Sequence, residues 1–283
     1  MAAVLPSMAQ SYQALTLDSL SSGSAMAMGG NNAGQVVGVS TDGVGNSIPV
    51  VWNGLTPTVL AGGSGVAQAI NNSGQVAGFL FSSGSMASSA VVWSGGVAST
   101  LQPLSGGSAA FACGINDAGQ VVGQSDTTGG SMPAVIWNGT TPTSLGGTSS
   151  GLIPFPSSAF GINSTGQVAG MSSASDADVA HAIVWTGTTP TLLAGINGSD
   201  THGSIAMSIN DAGQAVGYYA DEQDTYHAAI WRNGVATELA GLNGLWGVRL
   251  PSITMAWWSV QLMLATPTAS AWPPRSGTLR RAP

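Results

Sequence analysis

Apolar and polar positions alternate along most of this chain in short runs, each closed by a cluster of Gly, Asn, Asp or Ser. Period-two alternation marks half-buried strands, and the closing residues mark turns: Asn and Asp bond locally and Gly supplies a positive φ. Over its best-defined stretch the pattern predicts strands at Ser204–Asn210 and Gln214–Tyr219, joined by a turn at Asp211-Ala212-Gly213. A polar loop over Ala220–Tyr226 leads to a strand at His227–Trp231, a hairpin turn at Arg232-Asn233-Gly234 and a last strand at Val235–Leu242. Four short antiparallel strands in a unit of forty-odd residues match the size and order of a propeller blade.

The unit recurs. Gly-Gln-(Val/Ala)-(Val/Ala)-Gly begins at Gly34, Gly74, Gly119, Gly166 and Gly213, at spacings of 40, 45, 47 and 47 residues. Ile-Asn-x-x precedes four of the five copies, and a tryptophan follows each copy, at Trp52, Trp93, Trp137, Trp185 and Trp231. Each tryptophan ends an apolar triplet and precedes a turn, where a large ring can cover the contact between blades rather than stack on a ligand. The glycines of the signature sit where a turn and a close backbone approach are expected. The fold class is therefore all-β, a propeller of about five to six four-stranded blades, with a β-solenoid as the alternative. The segment Tyr12–Leu20 has the look of a blade's fourth strand. A chain that began with a fourth strand and ended with the first three would close its ring by pairing the two, which removes an exposed sheet edge.

Composition changes the picture mainly by exclusion. Only 6% of residues are charged, and up to residue 245 one cation, Arg232, stands against twelve carboxylates. Phosphate binding needs clustered cations, so nucleic acid is excluded as a partner. Cys113 is the single cysteine, which rules out an internal disulfide and a cysteine-based zinc cluster and reads as a small core residue. Asn-x-Ser/Thr triplets at Asn71, Asn138, Asn163 and Asn197 fall in turns, which explains them without glycosylation. Residues 1–11 read as the remnant of an export signal, with Ser7-Met8-Ala9 in small-x-small form and the true signal upstream of Met1.

The residues that carry the repeat, Ile-Asn-x-x-Gly-Gln-Val-Val-Gly followed by His181-Ala182-Ile183-Val184-Trp185 or His227-Ala228-Ala229-Ile230-Trp231, resemble the HAF-type extracellular repeat family over roughly residues 12–244. The resemblance implies export or surface location and no assigned activity. Three copies depart from it at the histidine, with Ile48, Ser89 or Met132 nearby instead.

After Gly244 the pattern stops. The tail holds four of the five arginines, Trp246, Trp257, Trp258 and Trp272, and no carboxylate. Joining the last base of each codon to the first two of the next recovers the missing signature. Met255/Ala256 must encode glycine, Trp257/Trp258 must encode valine, and Ser259/Val260 permits glycine. Pro251/Ser252 and Ser252/Ile253 permit Ile-Asn before them, while Trp272/Pro273 must encode alanine and Ser276/Gly277 permits tryptophan. Residues 245–283 thus read as a frameshifted tail on a repeat domain of residues 12–244. The stretch Ile253–Pro267 is too short and too polar for a membrane span.

Function is read as a secreted or surface-located, non-catalytic binding module, its ligand a glycan or a protein. The alternatives are a propeller-based hydrolase and a structural surface or matrix protein. Catalysis would need a converging set, and His181, His202 and His227 lie in separate units. Candidate binding residues are the carboxylates that follow the Gly-Gln-x-x-Gly strands: Asp42, Asp126, Asp176, Asp178, Asp221, Glu222 and Asp224. They recur at one position of the unit and should gather on one rim, where hard oxygen ligands suit calcium, the one cofactor considered.

Overall fold

The computed structural model describes residues 14–82, 88–146, 157–173, 179–195, 203–223 and 225–239. The export remnant at 1–11, His202 and the tail at 245–283 lie outside them. Among the described residues twenty strands form five four-stranded antiparallel sheets, each with its strands in chain order. Blade 1 comprises β1 (Ala25–Gly30), β2 (Gln35–Thr41), β3 (Ser47–Asn53) and β4 (Thr56–Val59). Blade 2 comprises β5 (Gly65–Ile70), β6 (Val76–Phe81), β7 (Ser88–Ser94) and β8 (Val97–Thr100). Blade 3 comprises β9 (Ala110–Ile115), β10 (Val121–Ser125), β11 (Ala134–Asn138) and β12 (Thr141–Ser144). Blade 4 comprises β13 (Ser157–Ile162), β14 (Gln167–Ser173), β15 (Ala180–Thr186) and β16 (Thr189–Leu192). Blade 5 comprises β17 (Ser204–Ile209), β18 (Ala215–Ala220), β19 (Tyr226–Arg232) and β20 (Val235–Glu238).

The sheets pack face to face in chain order, with each first strand against the first and second strands of the preceding blade. This is a β-propeller with the first strands innermost. Its core is divided among the interfaces between blades. Val37 and Leu60 of blade 1 meet Ala67, Val76, Val91 and Trp93 of blade 2. Ala77, Ala90 and Leu101 meet Ala112, Val121 and Trp137. Val122, Ala134 and Leu145 meet Ala159, Val168, Ile183 and Trp185, and Ala169, Ala182 and Leu193 meet Ala206, Ala215 and Trp231. The five tryptophans are 0–1% exposed. Burying a ring of that size contributes about 5 kcal/mol of transfer free energy before entropy is counted.

The signature's two glycines have separate jobs. The first, as at Gly119 (φ 78°), takes the left-handed conformation that closes the turn between first and second strands. The second lies against the neighbouring backbone: a Cβ on Gly123 would sit 1.9 Å from the Phe111 carbonyl oxygen. Opposite that glycine every first strand carries a one-residue bulge, at Met28, Gln68, Cys113, Phe160 or Met207. Fourth strands are shorter than predicted. The last ends at Glu238, and in blades 1 to 4 the leucine that follows the fourth strand is already buried at the crossing to the next blade.

That crossing is a two-point clamp. Ala61 donates its N–H to the Gly96 carbonyl (3.2 Å) and accepts the Trp93 indole Nε1–H (2.7 Å). Gln102 does the same with Thr140 (3.0 Å) and Trp137 (2.7 Å), and Ala194 with Gly234 (3.2 Å) and Trp231 (2.9 Å). Residues 14–18 are not a strand, contrary to the expectation for Tyr12–Leu20, yet Asp18 makes both contacts on blade 1, with Leu55 (3.0 Å) and Trp52 (2.8 Å).

Candidate functional site

Antiparallel order puts the 1–2 and 3–4 turns of every blade on one face of the propeller and the 2–3 and 4–1 loops on the other. On the turn face, a depression of about 240 Å³ opens among the 1–2 turns of all five blades. Its lining is set by the asparagine of Ile-Asn-x-x-Gly-Gln. Asn116 Oδ1 accepts the Gln120 N–H (3.0 Å), while its Nδ2 donates to Gln120 Oε1 (2.9 Å) and to the Asn163 carbonyl of the next blade (3.0 Å). The same cross-blade bond runs from Asn31 to Asn71 (3.0 Å), from Asn71 to Asn116 (3.0 Å) and from Asn163 to Asn210 (3.1 Å). Asn71 and Asn163 are buried as well as bonded, so their amides are not open to a sugar.

The residue after each asparagine makes an outer ring. Asn32 N–H donates to Asn72 Oδ1 (3.0 Å), Asn72 N–H to Asp117 Oδ1 (2.8 Å) and Ser164 N–H to Asp211 Oδ1 (2.9 Å). The donated N–H of the neighbouring blade holds Asp117 and Asp211 below the ordinary carboxylate range. The charge of Asp211 pushes Asp117 partly back, so the two carboxylates feel each other across the mouth. The depression is therefore polar and acidic, and its asparagines are held by the scaffold. Sequence reading identified these asparagines as punctuation of a repeat; their partners lie 40 to 47 residues away.

The loop face carries the described carboxylates among those singled out in the sequence, Asp42, Asp126, Asp221 and Glu222. Asp42 accepts N–H bonds from Val44 (3.0 Å) and Asn46 (2.8 Å), and the Asn46 side-chain amide (2.8 Å) above all lowers its pKa. Asp126 accepts from Ser108 N (2.7 Å), Ala109 N (2.8 Å) and Ser108 Oγ (3.0 Å), pinning the 4–1 loop beside it. Asp221 accepts from Gln223 N and Thr225 N, both at 2.9 Å. Glu222 is exposed, and Asp176, Asp178 and Asp224 lie outside the described residues. Asp42 and Asp221 thus close their own loops, and Asp126 holds the loop beside it. Among the described residues no three His, Cys, Asp or Glu side chains converge on a point where a metal ion could sit.

Blade 5 adds one cluster. His227 lies between Asp221 (Nε2 to Oδ2, 2.9 Å) and Glu238 (Nδ1 to Oε1, 3.0 Å) and stacks on Tyr219 with ring centroids 5.1 Å apart. The bond from His227 is the main cause of the lowered Asp221 pKa. Burial, then the Glu238 carboxylate, pushes the Tyr219 phenol up to about 12. The carboxylates sit on opposite sides of the ring, so the three groups cannot share an ion. Both ring nitrogens are engaged, which leaves none directed at a nucleophile as a general base requires. Cys113 is part-buried, and burial pushes its thiol up to about 12, away from the thiolate form in which a cysteine attacks.

No helix among the described residues is long and apolar enough to cross a membrane. No family model matches the chain, and no curated protein matches it. Among solved structures it is similar to the six-bladed fucose-binding propeller lectin of Aleuria aurantia, at 11% identity over 78% of each chain and a TM-score of 0.43. It is similar also to an arginine-to-alanine triple mutant of AofleA from Arthrobotrys oligospora, at 13% identity over 78% of this chain and 73% of that one, with a TM-score of 0.39.

Proposed function

We propose that the chain is a non-catalytic binding module, exported or displayed at a surface, whose partner is a hydroxyl-rich, uncharged ligand of the glycan class. One observation carries the reading. The recurring asparagines and tryptophans are already bonded to their own or the neighbouring blade, as in Asn116 to Asn163 and Trp137 to Gln102. Recognition then falls to what differs between copies, the 2–3 and 4–1 loops and the outer ring of the depression. The scarcity of cations argues against anionic ligands, and the exposed carboxylates of Asp117 and Asp211 at the rim of the hollow offer acceptors for sugar hydroxyls. The resemblance to an extracellular repeat family supports export. A glycan array probed with the full chain, alongside hydrolase substrate profiling, tests the proposal: retained glycans without turnover support it, and turnover of any substrate overturns its non-catalytic part.

Calcium belongs to this proposal as a loop-face ligand. Asp176 with Asp178 and Asp221 with Glu222 and Asp224 bring paired acids into single loops, a donor set that hard cations favour. Calorimetric titration of the full chain should give heat at millimolar calcium that is lost when Asp176, Asp178, Asp221 and Asp224 are changed to Asn. Absence of heat removes calcium from the account.

A further inference from the structure

Blades 1 and 5 each carry half of an interface that the other blades complete. At the second-strand position facing the next blade, Val37, Ala77, Val122 and Ala169 are all 0% exposed, whereas Val216 of blade 5 is 39% exposed. After the fourth strand, Leu60, Leu101, Leu145 and Leu193 are 1–5% exposed, whereas Leu239 is 44% exposed. The third-strand position repeats the contrast: Pro49, Ala90, Ala134 and Ala182 are buried and Ala228 is exposed. Blade 5 therefore presents, uncovered, the set of positions with which each earlier blade grips its successor.

Blade 1 shows the receiving half. Ala67, Ala112, Ala159 and Ala206 are 0% exposed, while their counterpart Ala27 is exposed. Val76, Val121, Val168 and Ala215 are 0–2% exposed, while Val36 is only half-buried. One part of this half is already filled: Asp18 clamps blade 1 as Ala61 clamps blade 2. Residues 14–18 thus occupy the place where a preceding blade's fourth strand would end.

We infer that the open faces of blades 5 and 1 are a socket for one further blade of this same repeat, whose fourth strand residues 14–16 would supply. The occupant is a three-stranded copy, and the neighbouring reading frame of the codons for residues 251–277 permits Ile-Asn-x-x-Gly-x-Val-Val-Gly, without the glutamine, and a tryptophan after it. A register check fits. In every blade the tryptophan pairs with a Pro or Ala of the fourth strand: Pro57, Ala98, Pro142, Pro190 or Ala236. Leu17 stands where Leu60 stands, which puts Ala14 at that position.

The test compares the full chain as given with the full chain carrying the neighbouring frame from Pro251 onward. Val216→Asp should leave the urea midpoint of the given chain unchanged. In the restored chain it should lower the midpoint as much as Val122→Asp does, and the restored chain should bind less of a hydrophobic dye. Should the restored chain fail to fold, a second design appends residues 64–94 of blade 2 after Asn243 and is held to the same two readouts. Equal effects of Val216→Asp in given and six-copy chains overturn the inference. A dimer of the given chain that Val216→Asp dissociates also overturns it, in favour of a second copy as occupant.

Discussion

Replacing Asn116 by Asp isolates the cross-blade bond, because the two side chains have the same shape. The new carboxylate still accepts the Gln120 N–H, but an oxygen replaces Nδ2 and faces Gln120 Oε1 at 2.9 Å and the Asn163 carbonyl at 3.0 Å. Gln120 cannot turn its amide to help without giving up its own 2.9 Å bond to Asn138. Two lost hydrogen bonds at about 1 kcal/mol each, plus the penalty of a largely buried, unpaired charge, give about 3–5 kcal/mol. The control is Asn210→Asp: Asn210 is exposed, and its Nδ2 donates only to Gln214 Oε1 among the described residues, so that change should cost about 1 kcal/mol or less. Urea unfolding followed by tryptophan fluorescence at neutral pH measures both. For a domain of this size the difference corresponds to several degrees in melting temperature, at about 2–4 °C per kcal/mol. If the two substitutions cost the same, the asparagine does not tie blade to blade.

Acid should loosen the turn face. Asp117 and Asp211 have pKa values below 3.8 in the folded chain, so their stabilisation is full above that value and is lost as pH falls through the lowered values. The protection of the Asn72 and Ser164 amides, measured against their intrinsic exchange rates at each pH, should fall over that window, and Asp117→Asn with Asp211→Asn should flatten the response. Cys113, its thiol raised to about 12, should resist iodoacetamide in the native chain and react on unfolding. Labelling at the same rate in both states would count against this shielding of the thiol.

Much of the fold is legible in the sequence because a repeat states its own boundaries. The Gly-Gln-x-x-Gly turns and the tryptophans set the five units, and alternation sets strands 1 to 3 of the fifth to within a residue, as at Ser204–Ile209 against the predicted Ser204–Asn210. The fourth strand is less legible. Leu60, Leu101, Leu145 and Leu193 continue the alternation but belong to the crossings between blades, which is a tertiary matter. The bulge opposite Gly123 and the cross-blade bond of Asn116 leave no local trace, because their causes lie in a facing strand and a neighbouring blade. The carboxylates show the opposite limit. Sequence counts Asp42 and Asp126 as charges on a rim, but it does not show that nearby N–H groups already hold them.

The central claim is that the recurring residues fasten blade to blade, leaving recognition to the parts that vary. Its most direct measurement is indole hydrogen exchange in the ¹⁵N-tryptophan-labelled full chain, with each signal assigned by a Trp→Phe change. The indoles of Trp52, Trp93, Trp137, Trp185 and Trp231, buried and bonded to the carbonyls of Asp18, Ala61, Gln102, Gly146 and Ala194, should exchange far more slowly than free indole. Exchange of these five at the rate of free indole would contradict the account.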